Sequence, residues 1–158
     1  MPNTKTNLKT APSSLQSNPS GRLLALDLGR KRIGVAVSDE LWITVRPLAP
    51  IYQTNWKELL RAVADLLQRF DAQGLVIGLP LKLDGSEGTA AKEAKRRARN
   101  FQLSLKVPVY LQDERLTSRE SEELLRAAGR SVKEVRENVD SQAAAIILRD
   151  FIATQESH

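Results

Sequence analysis

The stretch Arg22-Leu23-Leu24-Ala25-Leu26-Asp27-Leu28-Gly29-Arg30-Lys31-Arg32-Ile33-Gly34-Val35-Ala36-Val37-Ser38 decides the fold. Two apolar runs flank a turn made of glycine and cations, the pattern of two antiparallel strands joined by a tight loop. One charge, Asp27, interrupts the first run. A lone carboxylate among aliphatic strand residues costs several kcal/mol unless a cation neutralises it. The two candidates are a turn cation (Arg30, Lys31 or Arg32) and a bound metal ion.

Downstream of this pair, Trp42 to Ile51 reads as a third extended run, and Pro47 and Pro50 mark it as an edge strand. From Asn55 the period changes. Trp56, Leu59, Leu60, Val63, Leu66, Leu67 and Phe70 follow helical spacing, with Asn55 placed to cap the helix. Gly74 introduces Leu75-Val76-Ile77-Gly78-Leu79, apolar on both faces like a buried parallel strand. Thr89 to Gln102 predicts a second helix, and Val107 to Gln112 a further strand running into Asp113-Glu114-Arg115. Thr117-Ser118-Arg119-Glu120 has the form of a capping box, opening a helix that Gly129 ends. The last helix is expected to open near Asp140 and to bury Ala143, Ala144, Ile147 and Leu148. This order predicts an α/β domain: a mixed five-stranded sheet, three antiparallel strands followed by parallel βαβ additions, flanked by helices. Upstream, residues 1–20 are rich in Ser, Thr, Asn and Pro and read as a disordered tail, leaving a single domain over 21–158.

Composition restricts the chemistry. The 158 residues include no cysteine, and the only histidine is the last residue, His158. Thiolate sites, cysteine nucleophiles and a histidine base in the core are excluded. No apolar run is long enough for a membrane helix, and the N-terminus has no signal-peptide core, so no membrane partner and no secretion are expected. The net charge is +5, with a pI near 9.7. Much of it is concentrated between Lys82 and Lys106, where seven cations (Arg96 and Arg97 among them) face three acids. A concentrated basic stretch suggests a polyanionic partner, with nucleic acid the commonest, although a solvated helix face has the same composition. Loop 80–88, rich in glycine, could bring N–H groups to a phosphate, but a plain surface loop is the simpler reading.

Three carboxylates fall at element ends: Asp27 in the first strand, Glu114 (or its neighbour Asp113) after the last strand, and Asp140 at the mouth of the final helix. If the first and last strands share one sheet, these acids converge at one edge. Locally, Asp140 reads first as an N-cap, and Glu114 as a partner of Arg115 or another surface cation. Asp27 has no comparable structural explanation, because charged residues are rarely placed amid buried aliphatics. Clustered carboxylates stay ionised together only around a divalent ion, and an oxygen-only ligand set suits Mg2+ or Mn2+. Such ions beside a phosphate activate water and stabilise the leaving oxygen of an in-line displacement.

Asp27–Asp39, Gly78–Gly88, Asp113–Ser118 and Val139–Ala144 occur in order and with fitting spacing. Together they resemble the YqgF family, also called RuvX and labelled Holliday junction resolvases, within the ribonuclease H-like superfamily. The resemblance covers about residues 22–153. It implies a ribonuclease H-like fold and a cytoplasmic hydrolase acting on ester bonds, a nuclease maturing the 5′ end of precursor 16S ribosomal RNA. Resolution of branched DNA is the older proposal for the family. By motif position, Asp27, Glu114 and Asp140 are the metal-binding catalytic acids, with Lys31, Arg32 and Arg115 near the scissile phosphate. Lys82 departs from the family, which usually has asparagine after Gly-Leu-Pro-Leu, and adds charge beside the site.

RNA is the expected substrate and four-way DNA junctions the alternative, which sequence does not separate because cations directed at phosphates read neither sugar nor base. The ribosome is a further expected partner, and junction nicking would call for a homodimer rather than a monomer. Two other classes are distinguishable. A non-catalytic RNA-binding assembly factor would depend on Arg96 and Arg97 and tolerate Asp27→Asn, whereas an actin-like or sugar-kinase-like ATPase would need a second domain.

Overall fold

The computed structural model describes residues 19–52, 55–114 and 132–156, with the backbone alone over 132–140. The tail up to residue 18, Arg115, the capping box at Thr117–Glu120 and the helix ending at Gly129 lie outside the described residues. Five strands form one sheet in the order β3-β2-β1-β4-β5. They are β1 (Leu23–Leu28), β2 (Arg32–Ser38), β3 (Val45–Tyr52), β4 (Gly74–Leu79) and β5 (Val109–Asp113). β2 runs antiparallel to β1 and β3, while β4 is parallel to both β1 and β5. The mixed sheet expected from the sequence is therefore present, with β3 and its two prolines at an edge.

The turn between β1 and β2 is tight. The Gly29 N–H donates to the Asp27 carbonyl at 3.0 Å, and a Cβ on Gly29 would stand 2.4 Å from the Arg32 carbonyl oxygen. Only glycine fits there. β3 starts later than the sequence suggested, at Val45, because Trp42 takes a left-handed backbone (φ 63°) inside a loop organised by Asp39. The Asp39 carboxylate accepts the N–H groups of Ile43 and Thr44 at 2.7 and 2.9 Å.

Helices cover both faces. α1 (Trp56–Arg69) is capped as its sequence predicts, with Asn55 Oδ1 accepting the Glu58 N–H at 2.9 Å. α2 (Thr89–Ser104) lies beside it on the same face. Leu59, Val63 and Leu67 of α1 and Ala91, Ala94, Ala98 and Phe101 of α2 pack on Leu24, Leu26, Ile33, Val35, Leu75 and Ile77. α3 (Val132–Glu156) covers the other face, on Leu23, Ala25, Ala36, Val76 and Tyr110. Small residues on both sides of that contact, among them Ala25, Ala36, Ala144 and Ala145, let the helix come close to the sheet.

α3 corrects one expectation. It begins at Val132, not near Asp140, so Asp140 sits inside the helix and cannot be its N-cap. The extra turns carry Lys133, Glu134, Arg136 and Glu137, whose charge conceals the helical period from sequence reading.

Candidate active site

β1, β4 and β5 all end at one edge of the sheet, where Leu79 pairs with Asp113 and Asp27 pairs with Gly34. Along β1, alternate residues face opposite ways. Leu24 and Leu26 join the α1–α2 core, and Leu23 and Ala25 join the α3 core. Asp27 therefore belongs to the α3 face, where it is only 8% exposed.

Glu114 follows β5 and is held by its backbone, whose N–H donates to the Leu79 carbonyl at 3.1 Å. Its side chain forms a hydrogen bond with Asp27. Burial, then the neighbouring Asp27, pushes the Glu114 carboxyl up from 4.5 to about 10, with a smaller contribution from Asp113. Between the two candidates at the end of β5, Glu114 is the one bonded to Asp27, while Asp113 ends the strand opposite Leu79.

Space for this pair comes from a missing side chain. A Cβ on Gly78 would stand 2.9 Å from the Glu114 carboxyl carbon and one of its oxygens, and 2.6 Å from Ile147 Cδ1. The sequence motif contains Gly78 but does not disclose this role, since its partners lie far along the chain.

A second contact fixes α3 over the site. Ser141 is buried, accepts the Val35 N–H at 3.3 Å and donates to the Leu48 carbonyl at 2.6 Å. It does so where the β2–β3 pairing is irregular, between Ile33 and Val35. The hydroxyl thus bridges the two strands at the bulge. Asp140 immediately precedes it in the helix, and Gly34, the partner of Asp27, immediately precedes Val35. The backbone therefore brings residue 140 to the level of the acid pair, while its side chain lies outside the described residues.

The expected cations fall in two groups. Exposed Lys31 and half-buried Arg32 belong to the β1–β2 turn, at the same edge as the acids. Lys82 is exposed in the loop after β4, with its aliphatic stem over Gly88. That loop is closed on itself. Its Lys82, Gly85 and Ser86 N–H groups donate to Ser86 O, Lys82 O and Asp84 Oδ1, so they are already engaged and form no open phosphate cradle. Arg96 and Arg97 lie on α2, across the sheet from α3, and are not brought to the acid pair.

An all-oxygen donor set in which the buried Asp27 and half-buried Glu114 carboxyls share a hydrogen bond fits a hard divalent cation. Without one, the two groups cannot both ionise at neutral pH. Among the described residues no group of three or more potential ligands assembles, and the Asp140 side chain lies outside them.

The RuvX family, described as Holliday junction resolvase, matches residues 21–154. The chain belongs to the RuvX family. It is 44% identical over 131 residues to a protein of Anaeromyxobacter sp. (strain K) called "Putative pre-16S rRNA nuclease", covering 83% of this chain and 96% of that one. A Synechococcus elongatus protein of the same name is 41% identical over 132 residues, covering 84% of this chain and 89% of the relative. The solved structure of T. thermophilus RuvC in complex with Holliday junction substrate superposes with a TM-score of 0.53 at 16% identity, covering 87% and 97% of the two chains. That likeness shows the ribonuclease H-like fold. Membership of the RuvX family makes the chain a hydrolase of nucleic-acid ester bonds.

Proposed function

We propose that this RuvX chain is a metal-dependent phosphodiesterase that processes the 5′ end of precursor 16S ribosomal RNA. The observation carrying the reading is the hydrogen bond between buried Asp27 and half-buried Glu114 at the carboxyl edge of the sheet. Open α/β sheets keep their sites at that edge. Asp27, Glu114 and Asp140 would together hold Mg2+ or Mn2+. A bound divalent cation supplies charge neutralisation at the phosphodiester and activation of water.

The chain's own residues set the geometry. Gly78 keeps the space in which Glu114 meets Asp27, and Ser141 fixes the helix that carries Asp140. Lys31, Arg32 and Lys82 lie at this edge, Arg115 follows Glu114 in sequence, and all four are proposed to draw the substrate phosphates toward the acids. Fully buried strands behind the acids exclude solvent from one side. The names of the 16S-directed relatives at 40% identity and above support RNA as substrate. A cytoplasmic location and contact with the ribosome go with that substrate. Among the described residues, no helix is long and apolar enough to cross a membrane.

A second reading has its own support. The family description names Holliday junctions, and the same acids could cut a DNA junction. Incubating one preparation with precursor ribosomal RNA and with a four-way junction in Mg2+ separates the two. Cleavage of the RNA alone supports the first reading, and paired nicks in the junction alone overturn it. In either case Asp27→Asn should remain folded and lose cleavage, and full activity in that variant would refute the mechanism.

A further inference from the structure

On the face of the sheet away from the acid pair, α1 and α2 enclose an open groove of about 460 Å3. It is lined by the cap residue Asn55, by Trp56 and Leu59 of α1, and by Glu93, Arg96, Arg97 and Asn100 of α2. Nothing in the chemistry at Asp27 and Glu114 uses these residues.

The lining has an unusual combination of groups. Trp56 is 36% exposed at the very start of α1. Phe101 supports its ring, with centroids 4.8 Å apart and a tilt of 58°, so the indole is held while part of it remains open to solvent. Arg96 binds Glu93 through two contacts, Nε at 3.0 Å and Nη2 at 2.5 Å. Arg97 is half-buried, and burial pulls its guanidinium below the usual arginine value. A cation that is partly desolvated attracts an anion more strongly than one in open water. α2 as a whole carries five cations against one acid, Glu93, and the exposed Lys92 and Arg99 extend the charge beyond the groove.

We propose that this groove is a second nucleic-acid subsite, which takes a single-stranded segment by stacking one base on Trp56 and placing adjoining phosphates on Arg96 and Arg97. The inference rests on the reading of the chain as a nuclease of RNA, and deepens it by naming what the substrate must offer. A held aromatic face beside cations is the combination by which proteins bind single strands without reading sequence. Charge running along α2 past the groove suits a polyanion better than a lone nucleotide.

Pairing is what distinguishes the ligand. A base within a duplex is already stacked on both sides and cannot also lie on Trp56. Both helices start from the edge that carries the acids, since β3 ends there with Tyr52 opposite Arg32 and β4 ends there with Leu79. Trp56, at the start of α1, therefore lies toward the rim that carries the acids. Glu93 has a defined part in this scheme. It occupies Arg96 in the free protein, and an arriving phosphate must displace it.

The test is fluorescence anisotropy of a labelled uridine oligonucleotide with the full chain in EDTA, where cleavage does not intervene. Trp56→Ala should weaken binding about tenfold, and Trp56→Phe should recover most of the loss, because a stacking face returns. Glu93→Gln should tighten binding, since it removes the competitor for Arg96. Duplex DNA of equal charge should compete poorly. The proposal is overturned if Trp56→Phe binds as weakly as Trp56→Ala, if Glu93→Gln weakens binding or leaves it unchanged, or if duplex competes as well as single strand. The Glu93 arm is at an exposed position and does not depend on the aromatic packing, so a folding defect at Trp56 cannot hide the answer. Cleavage by Asp27→Asn is a separate readout, and either reading can fail while the other stands.

Discussion

The two ends of strand β2 each neighbour an acid, and the acids behave in opposite ways. Beyond the far end, the Asp39 carboxylate accepts two backbone N–H groups, and chiefly the Thr44 donor holds it below the usual carboxylate range. At the near end, Asp27 pairs with Gly34 and meets Glu114, which burial and the second carboxyl push up to about 10. One acid has its donors built into the loop and is complete as an anion. The other pair meets carboxyl to carboxyl, and Glu114 is held protonated well above neutral pH. A carboxyl whose ionisation the fold opposes thus marks a candidate functional site, whereas one satisfied by its own loop does not.

The most forceful way to break this contrast is at Asp27. Asp27→Asn should reduce Mg2+-dependent RNA cleavage on the order of 10³-fold, the size of loss seen when a group that stabilises transition-state charge is removed. A circular-dichroism melt should show the protein still folded. The next largest effect is expected at Gly78. Gly78→Ala places a methyl group 2.9 Å from the Glu114 carboxyl, so stability should fall by about 1–3 kcal/mol and cleavage should fall with it. Gly74→Ala on the same strand meets Leu23 and Tyr110 instead, at 3.0 and 3.3 Å. That variant should lose stability while keeping cleavage. Equal losses of activity in the two would remove the spacer role from Gly78.

How much of this was legible in the sequence follows from the range of each signal. Asn55 and Glu58 lie within one helical turn, and the cap was readable. Pro47 and Pro50 lack the N–H that an inner strand needs, and they identified β3 as an edge. Asp27 stood out because its neighbours are aliphatic. Ser141 could not be read, since its partners Val35 and Leu48 lie about a hundred positions away and a serine in a helix has no local signature. The role of Gly78 was hidden for the same reason, its neighbours being Glu114 and Ile147. The start of α3 escaped because residues 133–137 are mostly charged and carry no apolar stripe. Arg96 and Arg97 were legible as a charge cluster, but only the fold places them across the sheet from the acids and beside Trp56.

Ser141→Ala sharpens the comparison without touching a carboxyl. It leaves the Val35 N–H and Leu48 carbonyl without the hydroxyl that bridges them, at a cost of about 1–3 kcal/mol. Cleavage should fall more than stability alone explains, because the helix that carries Asp140 loses its anchor. Urea denaturation and cleavage measured on one preparation give both numbers.

Glu114→Gln gives a pH-dependent effect with a definite sign. In the folded state the Glu114 carboxyl sits near 10, above its ordinary 4.5, so folding favours the protonated form. The metal-free wild type is therefore most stable below about pH 4.5 on this account and loses stability as pH rises from there toward 10. In EDTA the variant should melt above wild type at pH 8 and close to it at pH 4. Mg2+ should raise the wild-type melting temperature more at pH 8 than at pH 5, and should do little for the variant. A melting difference that does not change with pH would contradict the shared-proton description of the pair.

The smallest effect belongs to the far end of β2. Asp39→Ala removes the acceptor for the Ile43 and Thr44 N–H groups and loosens the loop that holds Trp42 at φ 63°. Here the sign runs the other way. Asp39 is held below its ordinary 3.8, so its contribution is present above that pH and disappears as pH falls through its folded value. A slight drop in melting temperature is expected at pH 7, shrinking as the pH falls below 3.8, and RNA cleavage should remain at wild-type rate. If cleavage instead fell with Asp39→Ala, the two edges of the sheet would be coupled, and the division between a self-sufficient acid and a cation-dependent pair would not hold.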